Sequence, residues 1–500
     1  MNSKIITIAA LFVGLLIAMS LAVQVGQGEF KTVYIVTLLI VSIPVVLILG
    51  LRSWYALPFA MLASLPAIPL FAGRSLQLSE FVIALILAMV FAGTLNGKIK
   101  LQMNIRMWLP LVIFVIWMIV VAIANGGGLA ILGASQIGGR RYITVIAALI
   151  GMVVISQINI QEKEARRVVW IIFIALALTG AYNCVTAYIG ISNMAAGVYT
   201  NDFYSWHQGL SLVAMGGVLA LFARVSPKRV ILKPQYALIY ILLLSLAAFS
   251  GKRMGFAPCC IIPIVACFWH RQGALAVVAA MGGSLLLIGV VIIQNTTGAV
   301  PKGLQRTLQF LPADWHWEVE RSAVYSFRET LNRLALERIR ENPILGEGIV
   351  MNFKDHMIME DHSYVAQIMD PDDDPQAYPH AAAKNWHSTW IGLAAILGIP
   401  GSLIWIVVQI STLFRSWRVG HKLPPGSWAS SLAAMVFLGM FLAVLRSWSS
   451  GDMAQIALEG GLFIGLLCAL QNGESQRLLE AQQQNVAQVQ NTTNTLYNDQ

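Results

Sequence analysis

Long apolar runs without charged residues constrain this chain more than any other feature of its sequence. Ile5–Val23, Thr32–Leu51, Ala274–Ile293 and Thr389–Leu413 each contain no charged side chain. An α-helix needs about 20 such residues to cross a hydrocarbon core about 30 Å thick. Only 11% of the chain is charged, against about 25% in soluble domains. The sequence therefore predicts a protein that crosses a membrane several times.

The hydropathy pattern predicts an all-α polytopic membrane protein with about fourteen transmembrane helices, in a range of about twelve to fourteen. The first run is interpreted as a retained helix, because no small-residue cleavage site follows it. The predicted spans lie near residues 5–23, 32–51, 54–71, 78–93, 107–124, 142–157, 168–189, 209–222, 236–249, 256–268, 274–293, 389–413, 427–445 and 453–470.

Lysines and arginines are concentrated in alternate connections between the predicted spans. Residues 98–106, 163–167, 224–233 and 415–422 hold thirteen of the 33. Because cytoplasmic loops carry the excess of Lys and Arg, these connections are placed in the cytoplasm. An even number of spans then places both termini there too. The net charge of +9 follows from this topology, so nucleic acid is not expected as a partner.

A few basic residues depart from this charge rule, because they fall at outer ends of spans. They are Arg140, Arg141, Lys252, Arg253 and Arg446. The rule is statistical and tolerates exceptions, yet several cations on one face also suit an anion site. Both interpretations stay open at this point.

The predicted spans divide the chain into four parts. Residues 1–294 form the N-terminal transmembrane helices, and residues 295–386 form one large periplasmic loop. Residues 387–470 form the C-terminal transmembrane helices. Residues 471–500 form a polar cytoplasmic tail, which is rich in Gln and Asn and is predicted to be disordered. The five cysteines all lie in apolar runs, so they are interpreted as buried side chains rather than disulfides or metal ligands.

The large loop contains one predicted helix, at residues 318–342, which ends at the Asn342-Pro343 pair. Helical periodicity predicts one apolar face, formed by Val324, Phe327, Leu331, Ala335 and Ile339. We expect this amphipathic helix to lie along the membrane surface. Arg328 projects from the middle of the apolar face, so it either extends to water or meets a buried anion.

Two other features of the loop have competing interpretations. Asp370–Asp374 is an acidic run with some likeness to a metal site, but its prolines and lack of glycine favour a solvated turn. His387 lies where the loop re-enters the membrane, beside Trp386 and Trp390. It is either an interfacial polar residue or part of a site.

Three motifs follow one another along residues 250–401. Ser250–Gly255 contains Lys252 and Arg253 at an outer helix end. Arg328 precedes a helix that ends in Asn-Pro-Ile-Leu-Gly-Glu-Gly at 342–348. His387 is followed eleven residues later by Gly-Ile-Pro-Gly at 398–401. This combination resembles the O-antigen ligase/polymerase family, which contains bacterial lipid-linked glycan ligases, polymerases and O-oligosaccharyltransferases.

The resemblance implies a GT-C-like glycosyltransferase of the bacterial inner membrane, inverting and independent of metal or other cofactors. It would transfer a glycan from an undecaprenyl-diphosphate carrier to an acceptor hydroxyl on the periplasmic face. The acceptor would be a glycan, the lipid A core or a protein, and membrane lipids would surround the enzyme.

The same resemblance implies roles for individual residues. Arg253 and Arg328 would bind the diphosphate, because guanidinium groups hold such anions bidentately. His387 would be the catalytic base that takes the proton of the acceptor hydroxyl. Four further residues would support the site: Lys252, Arg141, Arg321 and His380.

Two other functions fit parts of the sequence. A transporter or flippase of lipid-linked sugars would suit the number of spans, although no internal repeat is visible and acidic residues are scarce in the spans. A metal-dependent GT-C transferase would use Asp370–Asp374. Within the resembled family, no motif separates ligase, polymerase and protein transferase.

Overall fold

The protein is described here by a computed structural model. It describes residues 54–63, 68–69, 75–76, 80, 82–83, 86–87, 105–125, 140–195, 203–250, 253–300, 305, 322–351, 353–360, 362–370, 373–386, 388–448 and 453–498. The predicted spans at 5–23 and 32–51 lie outside these residues.

The described residues are almost entirely helical. A short antiparallel ribbon pairs β1 (Ile68–Pro69) with β2 (Ser75–Leu76). The helices are α1 (Ala56–Leu62), α2 (Ile105–Ala124), α3 (Arg140–Ser156), α4 (Glu162–Ala195), α5 (Phe203–Arg224), α6 (Pro227–Leu232), α7 (Pro234–Phe249), α8 (Arg253–Trp269), α9 (Gly273–Thr297), α10 (Ser322–Glu341), α11 (Phe353–Glu360), α12 (His362–Ile368), α13 (Ala377–Ala382), α14 (Thr389–Lys422), α15 (Trp428–Ser447) and α16 (Met453–Asn498).

Ten of these helices contain apolar segments that match predicted spans. Five are long and apolar enough to cross a membrane: Glu162–Val185, Gly273–Thr297, Thr389–Lys422, Trp428–Ser447 and Gln455–Leu478. Five shorter apolar segments are Trp108–Ala124, Tyr142–Ser156, Gly209–Arg224, Pro234–Phe249 and Gly255–Trp269. The chain is therefore a helical membrane protein. The total of about fourteen spans stays a prediction.

Helix α16 lies at the centre of the described bundle. Its apolar segment is 89% buried, whereas that of α9 is only 11% buried and faces outward. Gly461 and Gly465 let α16 approach α3 closely, because an added Cβ would lie 2.5 Å from the Ala148 oxygen and 3.0 Å from the Met152 oxygen. Small residues allow this kind of close contact between membrane helices.

A partly buried ion pair accounts for one of the cations that depart from the charge rule. Arg446 donates to both carboxylate oxygens of Glu459, at 2.8 and 2.7 Å, and Gln455 donates to the same carboxylate at 3.3 Å. Arginine and glutamate in membrane helices are costly unless they are paired. The pair is formally neutral, so Arg446 serves the packing of α15 on α16.

The C-terminal tail differs from the disordered segment that was expected. Helix α16 continues without interruption through the Gln-rich sequence to Asn498. After Gly473 this segment contains neither Gly nor Pro and is rich in Gln, Ala, Leu and Glu, which favour helix. Low hydrophobicity had suggested disorder, but a helix that starts in the membrane needs no new nucleus to continue.

Candidate functional site

The loop helix α10 packs against α14 and the short helix α13. Leu331 and Ala335 are buried, and Phe327 and Ile339 are partly buried against the same core. The predicted apolar face is therefore confirmed at these residues. Arg328 follows Phe327 and is exposed.

The Gly-Glu-Gly turn after α10 is hydrogen-bonded to a kink in the membrane helix α14. The backbone N–H groups of Glu347 and Gly348 donate to the oxygens of Ala395 and Ile396, at 3.0 and 2.9 Å. In return, the N–H of Ile399 donates to the Pro343 oxygen at 2.9 Å. Unpaired backbone groups are costly in a membrane helix, so the loop satisfies carbonyls that the kink would leave free.

The kink has a clear cause in the sequence. Gly398 adopts φ 72°, outside helical geometry, and Pro400 has no N–H to donate to the Ile396 oxygen. The indole N–H of Trp117 binds the next carbonyl, that of Leu397, at 2.8 Å. Three successive carbonyls at the kink thus have partners from outside α14.

Two glycines make this contact possible. Gly346 has φ 64°, and an added Cβ there would lie 2.5 Å from the Gly398 nitrogen. An added Cβ on Gly398 would lie 1.8 Å from the Ile344 oxygen. The motifs at 342–348 and 398–401, separate in the sequence, therefore form one unit that fixes α10 to the membrane helices.

Next to this unit lies a buried cluster of four charges, Arg338, Glu347, Asp355 and Lys384, here termed the charge cluster. Lys384 Nζ lies 2.7 Å from Asp355 Oδ2 and 2.7 Å from Glu347 Oε2. Arg338 Nη2 lies 2.8 Å from Asp355 Oδ1, and Arg338 Nη1 also contacts Glu347. Two cations and two anions cancel, which is the condition for burying such groups.

The charge cluster lowers the pKa of the Asp355 carboxyl group. Burial would raise the pKa of Asp355, but Lys384 and Arg338 outweigh burial and lower its pKa below 3.8. Burial and the neighbouring Arg338 lower the pKa of Lys384 despite its two carboxylate partners. Lys384 also adopts φ 54°, a left-handed conformation that is strained for a side-chain-bearing residue. The ion pairs offset this strain.

The charge cluster fixes the chain on the N-terminal side of His387. Trp386 is 2% exposed, and Arg338 lies 5.8 Å from the centre of its ring. On the other side, the Ser388 oxygen accepts from the N–H of Gly392 at 2.8 Å and starts α14. Both sequence neighbours of His387 are thus held in place, although His387 itself lies outside the described residues.

We expect Asp355→Asn to lower stability at neutral pH by about 3 kcal/mol, because one partner of a buried ion pair is lost. The contribution of Asp355 is present above its unfolded pKa, near 3.8, and is lost as pH falls through the lower folded value. Thermal unfolding in detergent should show a large wild-type advantage at pH 7 that shrinks near pH 3.

Glu329→Gln is the control for this prediction, because Glu329 is exposed on α10. It should leave the unfolding temperature unchanged. An Asp355→Asn protein as stable as wild type at pH 7 would show that the charge cluster does not support the fold.

His380 is an imidazole close to the loop helix. Its ring lies 5.2 Å from that of Phe327 in an edge-to-face contact, and its Nδ1 lies 3.3 Å from Asn385 Nδ2. Burial lowers the pKa of His380 below 6.5, so this imidazole is neutral at pH 7. The structure thus places His380 beside the residue that precedes Arg328.

The acidic run is not simply the solvated turn that was expected. The Asp370 side chain is 69% exposed, but that of Asp373 is only 7% exposed and pairs with Arg333. Tyr378 donates to Asp373 at 2.7 Å. Arg333 of the loop helix pairs with Asp373, which accounts for the burial of this carboxylate. The periodicity of the sequence could not indicate this contact, because the two residues are distant in the chain.

No group of three or more His, Cys, Asp or Glu side chains that could hold a metal ion occurs in the part of the chain that the structure describes. The carboxylate of Asp373 is already engaged by Arg333, Tyr378 and Thr330.

The remaining predicted site residues are placed only in part. Arg253 begins α8, close to where Gly255 packs against Ser211 on α5, and Arg141 lies in the first turn of α3. The side chains of both arginines lie outside the described residues, as do Lys252 and Arg321 entirely. Convergence of Arg253, Arg328 and His387 therefore stays a prediction.

Comparison with known proteins bears on this region. A family model described as O-antigen ligase matches residues 238–406. The matched segment runs from α7 to the first part of α14 and includes the loop, the kink and the charge cluster. A search of curated proteins gave no match.

Proposed function

We propose that this chain, whose residues 238–406 match a family model described as O-antigen ligase, transfers a glycan from an undecaprenyl-diphosphate carrier to an acceptor hydroxyl. The family match confirms the resemblance to the O-antigen ligase/polymerase family. One observation supports the proposal most: the matched segment contains Arg253, Arg328 and His387 together with the anchored loop. The donor, the acceptor and the mechanism are our inference.

The proposed chemistry needs stabilisation of a lipid-diphosphate leaving group. Negative charge grows on the diphosphate oxygens as the anomeric C–O bond breaks. Guanidinium groups can donate paired hydrogen bonds to these oxygens without a metal ion. Arg328 is exposed on α10, and Arg253 begins a membrane helix, so we assign diphosphate binding to these two residues.

The acceptor hydroxyl must lose its proton as it attacks the anomeric carbon. A neutral imidazole is a suitable base at pH 7, and we assign this role to His387. The anchored residues on either side, Trp386 and Ser388, support the role, because a base acts efficiently only when it is held in position. Arg141, Lys252, Arg321 and His380 are proposed to support the site.

We infer that the reaction takes place on the periplasmic side of a bacterial inner membrane. The connections predicted on the other, cytoplasmic side are rich in Lys and Arg, which supports this orientation. The anchored loop would then lie where a flipped lipid-linked glycan is presented. An inverting GT-C-like mechanism and a ligase or polymerase role are the forms of the activity that we favour.

A transfer assay tests this function. Purified full-length protein would be incubated with an undecaprenyl-diphosphate-linked glycan and three acceptors: lipid A core, the same glycan and a hydroxyl-bearing peptide. We expect transfer to one of them that persists in excess EDTA, because arginines rather than a metal hold the diphosphate.

The outcomes of this assay separate the alternatives. Transfer lost in EDTA and restored by Mg²⁺ or Mn²⁺ would favour a metal-dependent transferase. Absence of transfer to every acceptor, combined with movement of the intact donor across liposome membranes, would favour a flippase.

A further inference from the structure

A polar cavity lies at the end of the bundle opposite the loop. It has a volume of about 160 Å³, and its lining includes Arg224, Trp269, His270, Arg271 and His421. Helices α8 and α14 both start near the predicted active site, at Arg253 and Thr389, and end at this cavity. The cavity is therefore separate from the proposed transfer site by the length of a membrane helix.

Two arginines give the lining of this cavity a positive charge. Two arginines and two histidines line it, and no Asp or Glu is among the lining residues, all of which the structure describes. Arg224 is held in place: Nη1 donates to the Gly426 oxygen at 2.5 Å and to Ser431 Oγ at 3.3 Å. Its guanidinium also lies 4.2 Å from the centre of the Trp428 ring.

The backbone of Arg271 is the second, independent observation. It has φ 57° at the end of α8, a left-handed position that glycine usually occupies. The N–H of the next residue, Gln272, donates to the Cys267 oxygen at 2.7 Å, as in a standard helix C-cap. A side chain at this position is strained, and such strain concentrates at functional sites.

Lys384 provides an internal comparison for Arg271. Both are cations in the left-handed conformation two residues after the end of a helix, and they are the only non-glycine residues with positive φ in the part of the chain described. Lys384 has two carboxylate partners at 2.7 Å. Arg271 is exposed, has no ion pair with any described residue and lines an open cavity, so its guanidinium can be reached from outside the protein.

We propose that this cavity binds the phosphate of an anionic phospholipid. Arg271 and Arg224 would contact the phosphate oxygens, and the acyl chains would run along the apolar surface beside the cavity. Two aromatic side chains on that surface are exposed, Phe268 at 53% and Phe414 at 62%. Basic pockets between membrane helices on the cytoplasmic side suit such headgroups. The distribution of Lys and Arg along the chain predicts that this cavity lies on the cytoplasmic side.

The test uses Arg271→Gly, which removes the cation and also relieves the backbone strain. Delipidated full-length protein in a neutral maltoside detergent would be titrated with phosphatidylglycerol, and bound lipid would be counted by native mass spectrometry. We expect affinity for phosphatidylglycerol to fall about tenfold or more, the loss of one charge-assisted hydrogen bond. The unfolding temperature without lipid should not fall.

Arg418→Gln is the matched control, because Arg418 is exposed on α14 at the same end of the bundle but does not line the cavity. It should bind phosphatidylglycerol like wild type. Equal binding by wild type and Arg271→Gly would overturn the proposal. Inorganic phosphate that binds wild type as tightly as the lipid would also overturn it, since the ligand would then be a free phosphate. Neither result depends on glycan transfer, so this proposal and the proposed function can fail separately.

Discussion

His387→Ala should lower kcat for glycan transfer by about 10²–10⁴, the usual contribution of a general base. KM for the lipid-linked donor should change little, because the base acts on the acceptor hydroxyl and not on the diphosphate. The rate of the remaining reaction should rise with pH, since hydroxide replaces the missing base. The measurement is a pH–rate profile of purified variant and wild type with the same donor and acceptor.

Two other histidines are the controls. His356 is exposed on α11, and His356→Ala should leave kcat unchanged. His380→Ala tests the neutral imidazole beside Phe327. Wild-type turnover by His387→Ala together with loss of turnover in His380→Ala would move the role of base to His380. Wild-type turnover by both variants would remove histidine from the proposed mechanism.

The sequence predicted the membrane helices well, because the hydropathy of a helix depends only on the residues within it. The run at 107–124 corresponds to α2 at Ile105–Ala124, and the run at 427–445 corresponds to α15 at Trp428–Ser447. The loop helix could be predicted equally well, because its apolar periodicity and the Asn342-Pro343 pair at its end are both local features of the sequence. Among the described helices, α16 was placed least well, because its polar half continues the membrane helix and hydropathy does not show where such a helix ends.

Contacts between distant segments could not be predicted in the same way. The charge cluster joins Arg338, Glu347, Asp355 and Lys384 from four separate parts of the loop. Each of these residues alone is an ordinary charged residue of a polar loop. One signal was available in principle: Glu347 lies inside a glycine turn next to a membrane helix, where an unpaired carboxylate is unfavourable.

The glycine motifs show the same limit. Gly346 and Gly398 are recognisable as turn residues, but their mutual contact depends on how the loop folds back. The family match at 238–406 covers both motifs. In the sequence analysis, both motifs served to identify the family. Their described role is structural, since they join the loop to the kinked helix. This role leads to a prediction with a large expected effect.

Gly398→Ala should destabilise the protein by about 3 kcal/mol or more. The new Cβ would lie 1.8 Å from the Ile344 oxygen, so the loop cannot keep its place. At least the hydrogen bond from Ile399 to Pro343 would be lost, and buried groups left unpaired cost about 1–3 kcal/mol each. Positive φ at an alanine adds about 1 kcal/mol.

Gly298→Ala separates the two causes, because Gly298 also has positive φ, 62°, but an added Cβ there meets nothing within 4 Å. It should cost only the conformational term, about 1 kcal/mol. Thermal unfolding of both variants in detergent, alongside their abundance in membranes, measures the difference. Equal losses in the two variants would mean that the contact between the 342–348 turn and the kink contributes nothing to stability. A larger loss in Gly398→Ala, accompanied by loss of transfer, would show that the proposed site depends on the loop being fixed to the membrane helices.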